Sequence, residues 1–83
     1  MVEKVWFVYI LECKNGSYYT GVTNDIENRM KVHASGKGSK YVAKNGFSHL
    51  IAKLECKDKS NACKLEYAIK QLPKSEKLKT FDL

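Results

Sequence analysis

The chain has 83 residues, 43% apolar and 29% charged, which fits one globular domain spanning residues 1–83 and excludes a repeat array or a disordered chain. Its longest apolar run, Val5 to Leu11, falls far short of the roughly 20 residues that a membrane-spanning helix requires. Fifteen basic residues against nine acidic give a net charge of +6, an excess that attracts polyanions, nucleic acid foremost.

A lysine-rich surface that is merely well solvated is the alternative reading of that charge. Fourteen of the fifteen cations are lysines and one is Arg29, and only the guanidinium offers a planar fork that grips phosphate with two hydrogen bonds. The opening Met-Val-Glu-Lys shows no apolar stretch ending in small residues, so a cytoplasmic protein is expected. Cys13, Cys56 and Cys63 leave one thiol unpaired in any intramolecular scheme, which points to reduced cysteines. There is no Cys-x-x-Cys, and His33 and His49 lie apart, which argues against zinc.

Val5 to Leu11 (VWFVYIL) is rich in β-branched and aromatic residues and apolar at every position. That pattern predicts a strand covered on both faces, in the middle of a sheet. Lys14-Asn15-Gly16-Ser17 follows, and Asn-Gly favours a two-residue hairpin turn, with Tyr18 to Thr23 as the returning strand. Asn24, with Glu27 three residues on, resembles a capping box, so a helix is predicted from there to about Ser35, stopped by Gly36. At 100° per residue Ile26, Arg29, Met30 and His33 share one face. The Gly- and Lys-rich stretch from Gly36 to Gly46 allows a short helical turn around Tyr41 to Lys44. His49 to Glu55 reads as a third strand.

Asp58 or Ser60 can cap a second helix from about Asn61 to Leu72, with Ala62, Leu65, Ala68, Ile69 and Leu72 as its buried stripe and Glu66 on the border. Pro73 ends it and can start a last short helix. The predicted fold is α+β: a small three-stranded antiparallel sheet, order second–first–third, flanked by helices.

In this arrangement Tyr9 points away from Val8 and Ile10. Tyr19 lies across the hairpin near Gly21, where the backbone can admit a close approach. Arg29 and His33 come from the first helix and Glu66 from the later one. Such a set can cut a phosphodiester. A carboxylate can hold Mg²⁺, an arginine can stabilise charge on the non-bridging oxygens, and a tyrosine or histidine can take a proton from water. A phenol at its ordinary pKa of about 10 is too weakly ionised for that task, but nearby cations lower it.

Phe7-Val8-Tyr9, Tyr19-Thr20-Gly21, the Arg29-x-x-x-His33 helix and the late Glu66 resemble the GIY-YIG nuclease superfamily, over about Lys4 to Leu78 and nearest to its small stand-alone members. The resemblance implies a metal-dependent endonuclease acting on DNA, in repair or recombination. Within it Tyr9 matches the general base or its close partner, and Tyr19 positions water or phosphate. Arg29 stabilises the pentavalent phosphate, His33 assists proton movement or contacts the nucleic acid, and Glu66 ligates one divalent ion, Mg²⁺ or Mn²⁺. Lys40 falls where relatives carry another basic side chain or a histidine, and Lys37 and Lys44 flank it as candidates for nucleic-acid contact. Departures are Phe-Val-Tyr for Gly-Ile-Tyr, Tyr-Thr-Gly for the second tripeptide, and Thr-Phe-Asp-Leu where many relatives carry an asparagine after the last helix. Relatives often draw affinity and target choice from attached DNA-binding modules, which implies slow or nonspecific action by such a domain alone.

Plainer readings stand beside these. Tyr9 and Tyr19 could be cross-strand aromatics, Arg29 could pair with Asp25, and His33 could be a helix-end residue favoured by the dipole. Glu66 could pair with Lys70, and the three lysines could be a solvated loop. A non-catalytic nucleic-acid-binding module using the lysines and aromatics is the second functional class. A thiol or metal protein built on the cysteines is a remote third.

Overall fold

In the strand β1, Trp6–Cys13, Val8, Tyr9, Ile10 and Leu11 are all buried, because both faces of the strand are covered. The computed structural model describes residues 5–81. β2, Tyr18–Thr23, and β3, Phe47–Cys56, pair antiparallel on either side of β1, giving the order β2-β1-β3. Between them run α1, Ile26–Ala34, and α2, Lys40–Asn45. After β3 come α3, Lys59–Lys70, α4, Lys74–Lys77, and a 3-10 turn over Leu78–Phe81. The class is α+β, with the strand order that the apolar first strand predicts.

Alternation along β1 divides the core in two. Val8 and Ile10 pack with Ala52, Cys56, Ala62, Ile69 and Phe81, under α3 and the C-terminal turn. Tyr9, Leu11 and Cys13 pack with Val42, and with Ile26, Met30 and Phe47 at the margin, under α1 and α2. Each layer is small, and fully burying one Leu or Ile side chain is worth about 1.5–3 kcal/mol. A single large-to-small change in either layer therefore removes a sizeable share of the stability of so short a chain.

Local chemistry explains the boundaries, including those that differ from expectation. The hairpin turns through three residues rather than two. Gly16 N–H donates to the Cys13 carbonyl at 2.9 Å, Cys13 N–H donates to Ser17 O at 2.8 Å, and Gly16 sits at φ 85°. Asn-Gly serves this type I turn plus bulge as readily as the two-residue turn. The cap of α1 is Asp25, one residue after the predicted Asn24, and its carboxylate accepts from Asn28 N–H at 3.1 Å. Gly36 ends α1 at φ 83°. Its N–H reaches His33 O at 3.0 Å and Lys37 N–H reaches Val32 O at 3.2 Å, the paired bonds of a Schellman stop.

β3 begins at Phe47, two residues early. It carries irregularities in its pairing with β1 between Ile10 and Leu11 and between Glu12 and Cys13, which break the alternation that sequence reading relies on. In α3, Asp58 is the cap, accepting from Asn61 N–H at 2.8 Å. Ala62 and Ile69 are buried and Leu65 packs beside them, whereas Ala68 is exposed. The buried stripe is thus narrower than predicted and centres on 62, 65 and 69.

Candidate active site

Tyr9 is 2% exposed and His33 likewise, and the phenol oxygen lies 2.8 Å from His33 Nε2. The strand pleat aims Tyr9 at the α1 layer, and the helical spacing from Ile26 brings His33 in through the last turn of α1 to meet it. Tyr19, opposite Leu11 in the register, stands on the same sheet face. Its ring centroid is 6.4 Å from that of Tyr9 and 5.5 Å from that of His33. Phe47 stacks on the other side of the imidazole at 6.5 Å.

Two glycines make room for this pair. A Cβ on Gly21 would sit 2.5 Å from the Tyr9 hydroxyl, and one on Gly38 would sit 2.7 Å from His33 Nδ1. Gly21 therefore serves the protein's own phenol, where the sequence suggested a place for ligand approach. Neither glycine has a positive φ, so what fixes them is space, not backbone conformation.

Burial and charge set the protonation states. Burial pushes the Tyr9 phenol well above its usual 10.0. The Tyr19 phenol adds to the rise, the Arg29 charge opposes it, and the Glu66 carboxylate raises it further. The expectation that cations would lower this phenol is thus overturned, because desolvation outweighs Arg29. His33 is held below 6.5, first by burial and then by the Arg29 charge. Both groups are neutral at pH 7. One hydrogen bond joins the phenol oxygen to His33 Nε2, its direction set by the imidazole tautomer, and Nδ1 is the other ring nitrogen. That Nδ1 is buried and has no hydrogen-bond partner among the described residues.

Arg29 lies one turn before His33, half-buried, and forms no ion pair among the described residues. The plainer pairing with Asp25 is not made, since that carboxylate caps the helix. Glu66, on α3, pairs with Lys70, whose Nζ is 3.3 Å from Glu66 Oε2 and 5.9 Å from the centre of the Tyr19 ring. The plainer reading of Glu66 is therefore also correct. An i,i+4 pair on a helix contributes only about 0.3–0.5 kcal/mol, so it does not hold the carboxylate against a stronger partner.

Among the described residues no three His, Cys, Asp or Glu side chains form a group able to cage a metal. One half-buried carboxylate, that of Glu66, is a hard, incomplete donor set. It fits Mg²⁺ or Mn²⁺, which keep waters and share a substrate's phosphate oxygens, and does not fit zinc. Cys13 and Cys56 lie in opposite core layers and Cys63 is half-exposed, so the thiols do not converge.

The described residues enclose no pocket, and the Tyr9–His33 pair is itself buried. Lys37, Lys40 and Lys44 are exposed and solvated beside it. Sequence reasoning missed Tyr41, whose ring stacks on Tyr19 at 6.0 Å and 26°, and also missed Gly38 and Phe47. The Gly-Lys-Gly-Ser-Lys-Tyr run was visible, but only the folded α2 shows which of its residues face the site.

The GIY-YIG catalytic domain family matches residues 5–79. A UPF0213 protein of Halalkalibacterium halodurans is 48% identical over 71 residues, 86% of this chain and 76% of its own length. One from Oceanobacillus iheyensis is 45% identical over 81 residues, 98% of this chain and 94% of its own. The solution NMR structure of a UPF0213 protein from Bacillus halodurans superposes with a TM-score of 0.55 at 45% identity, covering 92% of this chain and 81% of that one. With the two tyrosine-bearing strands, the Arg29–His33 helix and the Glu66 helix arranged as described, these matches show that the chain belongs to the GIY-YIG catalytic domain family, alongside small UPF0213 relatives.

Proposed function

We propose that this protein is a metal-dependent endonuclease that hydrolyses phosphodiester bonds in DNA, using Tyr9, His33, Tyr19, Arg29 and Glu66. The observation that carries the reading is the buried 2.8 Å Tyr9–His33 bond, with Tyr19 opposite Leu11 on the same sheet face and Arg29 one turn before His33 on α1. Cross-strand packing alone accounts for two stacked tyrosines. It does not account for a buried phenol–imidazole pair.

The neutral imidazole acts as the base through the phenol. As water attacks phosphorus, the Tyr9 oxygen takes the water's proton while its own proton passes to His33 Nε2, so no free phenolate forms. General-base help of this kind contributes about 10²–10⁴-fold. Tyr19 orients the water or a phosphate oxygen from the neighbouring strand. Arg29 binds the non-bridging oxygens as their charge grows, an interaction that strengthens where water is excluded. Glu66 is the residue that would hold one Mg²⁺ or Mn²⁺, which when bound neutralises the phosphate and the departing oxygen. Lys37, Lys40 and Lys44 contribute sequence-independent attraction for the backbone.

The test is cleavage and binding of plasmid and branched DNA by wild type and Glu66→Gln across Mg²⁺ and Mn²⁺. The reading predicts that the variant binds as tightly as wild type and cleaves neither substrate. Steeply salt-dependent binding by a wild type that cleaves nothing would instead make the protein a non-catalytic binding module.

A further inference from the structure

Beside the reacting group, an aromatic series runs outward from the core. Phe47 stacks on His33, His33 meets Tyr19 edge-on, and Tyr19 stacks on Tyr41. Tyr41 is the last ring, 45% exposed, and among the described residues no other aromatic or cation covers its outer face. A phenol ring left half in water at the end of a stack is not completing a core.

Tyr41 is also held firmly. Ser39 Oγ accepts from Tyr41 N–H at 3.2 Å, and Val42, the next residue, is buried in the sheet layer. Asn45 Nδ2 donates to the Tyr41 carbonyl at 2.9 Å, while Asn45 Oδ1 accepts from Asn15 in the hairpin at 2.8 Å. A ring fixed in advance loses little freedom when a ligand stacks on it. Around it, Lys40 and Lys44 fall on the outer side of α2, opposite Val42 by helical spacing, and both are exposed and free of ion pairs among the described residues. A flat hydrophobic face flanked by unpaired cations matches a base attached to a phosphate chain.

We propose that the outer face of Tyr41 is a stacking platform for an unpaired nucleobase next to the scissile phosphate, which selects single-stranded or unstacked DNA over intact duplex. The inference rests on the phosphodiester reading of the neighbouring group. Tyr19 is the link, since it borders the reacting pair on one side and carries Tyr41 on the other. A base kept in a duplex stack has no free face to offer. An intact duplex therefore gains only the lysine contacts.

The experiment measures affinity by fluorescence anisotropy without divalent metal, using labelled single strands, the matching duplex, and single strands with one abasic position moved along the sequence. Tyr41→Ala is expected to weaken single-strand binding about tenfold while leaving duplex binding nearly unchanged, and Tyr41→Phe to keep wild-type affinity. With wild-type protein, one abasic position is expected to cost a similar factor, and that cost to vanish in Tyr41→Ala. The abasic series needs no substitution, so it stands even where Tyr41→Ala disturbs the fold. Equal losses on single strand and duplex, or an abasic series with no sensitive position, would overturn the platform. Because no metal is present, these outcomes are independent of whether the protein cleaves. Selective, Tyr41-dependent binding by a protein that never cuts would sustain the platform and sink the nuclease.

Discussion

In the proposed mechanism the Tyr9 hydroxyl is the atom on which the chemistry turns, and Tyr9→Phe removes it with little change in shape. Tyr9→Phe is expected to lower single-turnover cleavage by about 10²–10⁴-fold with DNA affinity unchanged. A parallel loss of affinity would make the phenol a binding group instead. Gly38 gives a subtler test at the same scale. A methyl group there meets His33 Nδ1 at 2.7 Å, and the ring can relieve the contact only by moving against Phe47 or away from Tyr9. Gly38→Ala is expected to cost about 1–3 kcal/mol in urea denaturation through overpacking. It should also shift the His33 imidazole signals in NMR. Tyr9, Tyr19 and His33 were legible as neighbours, since strand alternation and helical spacing put each on a defined face. Gly38 was not, because its reason lies in an imidazole that folding brings against it.

At the scale of elements, caps and turns decide how well α1 and α3 present their side chains. Asp58 satisfies the first turn of α3, and Asp58→Ala is expected to destabilise the protein by about 1 kcal/mol in urea or thermal melts. Glu66 lies two turns further on, so cleavage at low temperature should change little. The sequence showed where these elements lie better than where they end. Continuous apolar character marks β1 as central, and Pro73 and Gly36 mark helix boundaries by their backbone chemistry. Adjacent residues able to do one job blur the edges: Asn24 and Asp25 can both cap α1, and Asn-Gly fits two hairpin turns. Bulges at Ile51 and Ser48 hide the true start of β3, because the pairing skips them. Tyr41 stayed hidden for a related reason. Six residues of α2 carry too short a pattern to say which ring faces the sheet.

For the whole molecule, charge and protonation set the working range. His33 is held below its ordinary 6.5 in the fold, so the unfolded chain binds the extra proton first. Stability is then full above pH 6.5 and falls as the pH drops from there towards the lowered folded value. Tyr9 is held above 10.0, so stability also declines once the pH rises past 10. Denaturation midpoints should therefore be flat from about pH 7 to 10, and His33→Gln should remove the acid limb that this residue contributes. Cleavage should fall on the acid side as His33 gains its proton and ceases to accept one from Tyr9. Binding should weaken with salt, and Lys40→Ala should reduce the logarithmic salt slope by about one without altering sequence preference. The most direct test of the convergence of Tyr9, Arg29 and Glu66 is a crystal structure with Mn²⁺ and a short single-stranded oligonucleotide bearing cleavage-resistant phosphorothioates. The account predicts one phosphorus bound by Arg29, the ion on Glu66, and the Tyr9 hydroxyl turned to a water in line with the leaving oxygen. Phosphates running only along Lys37, Lys40 and Lys44, with none beside Tyr9 and no ion on Glu66, would contradict it.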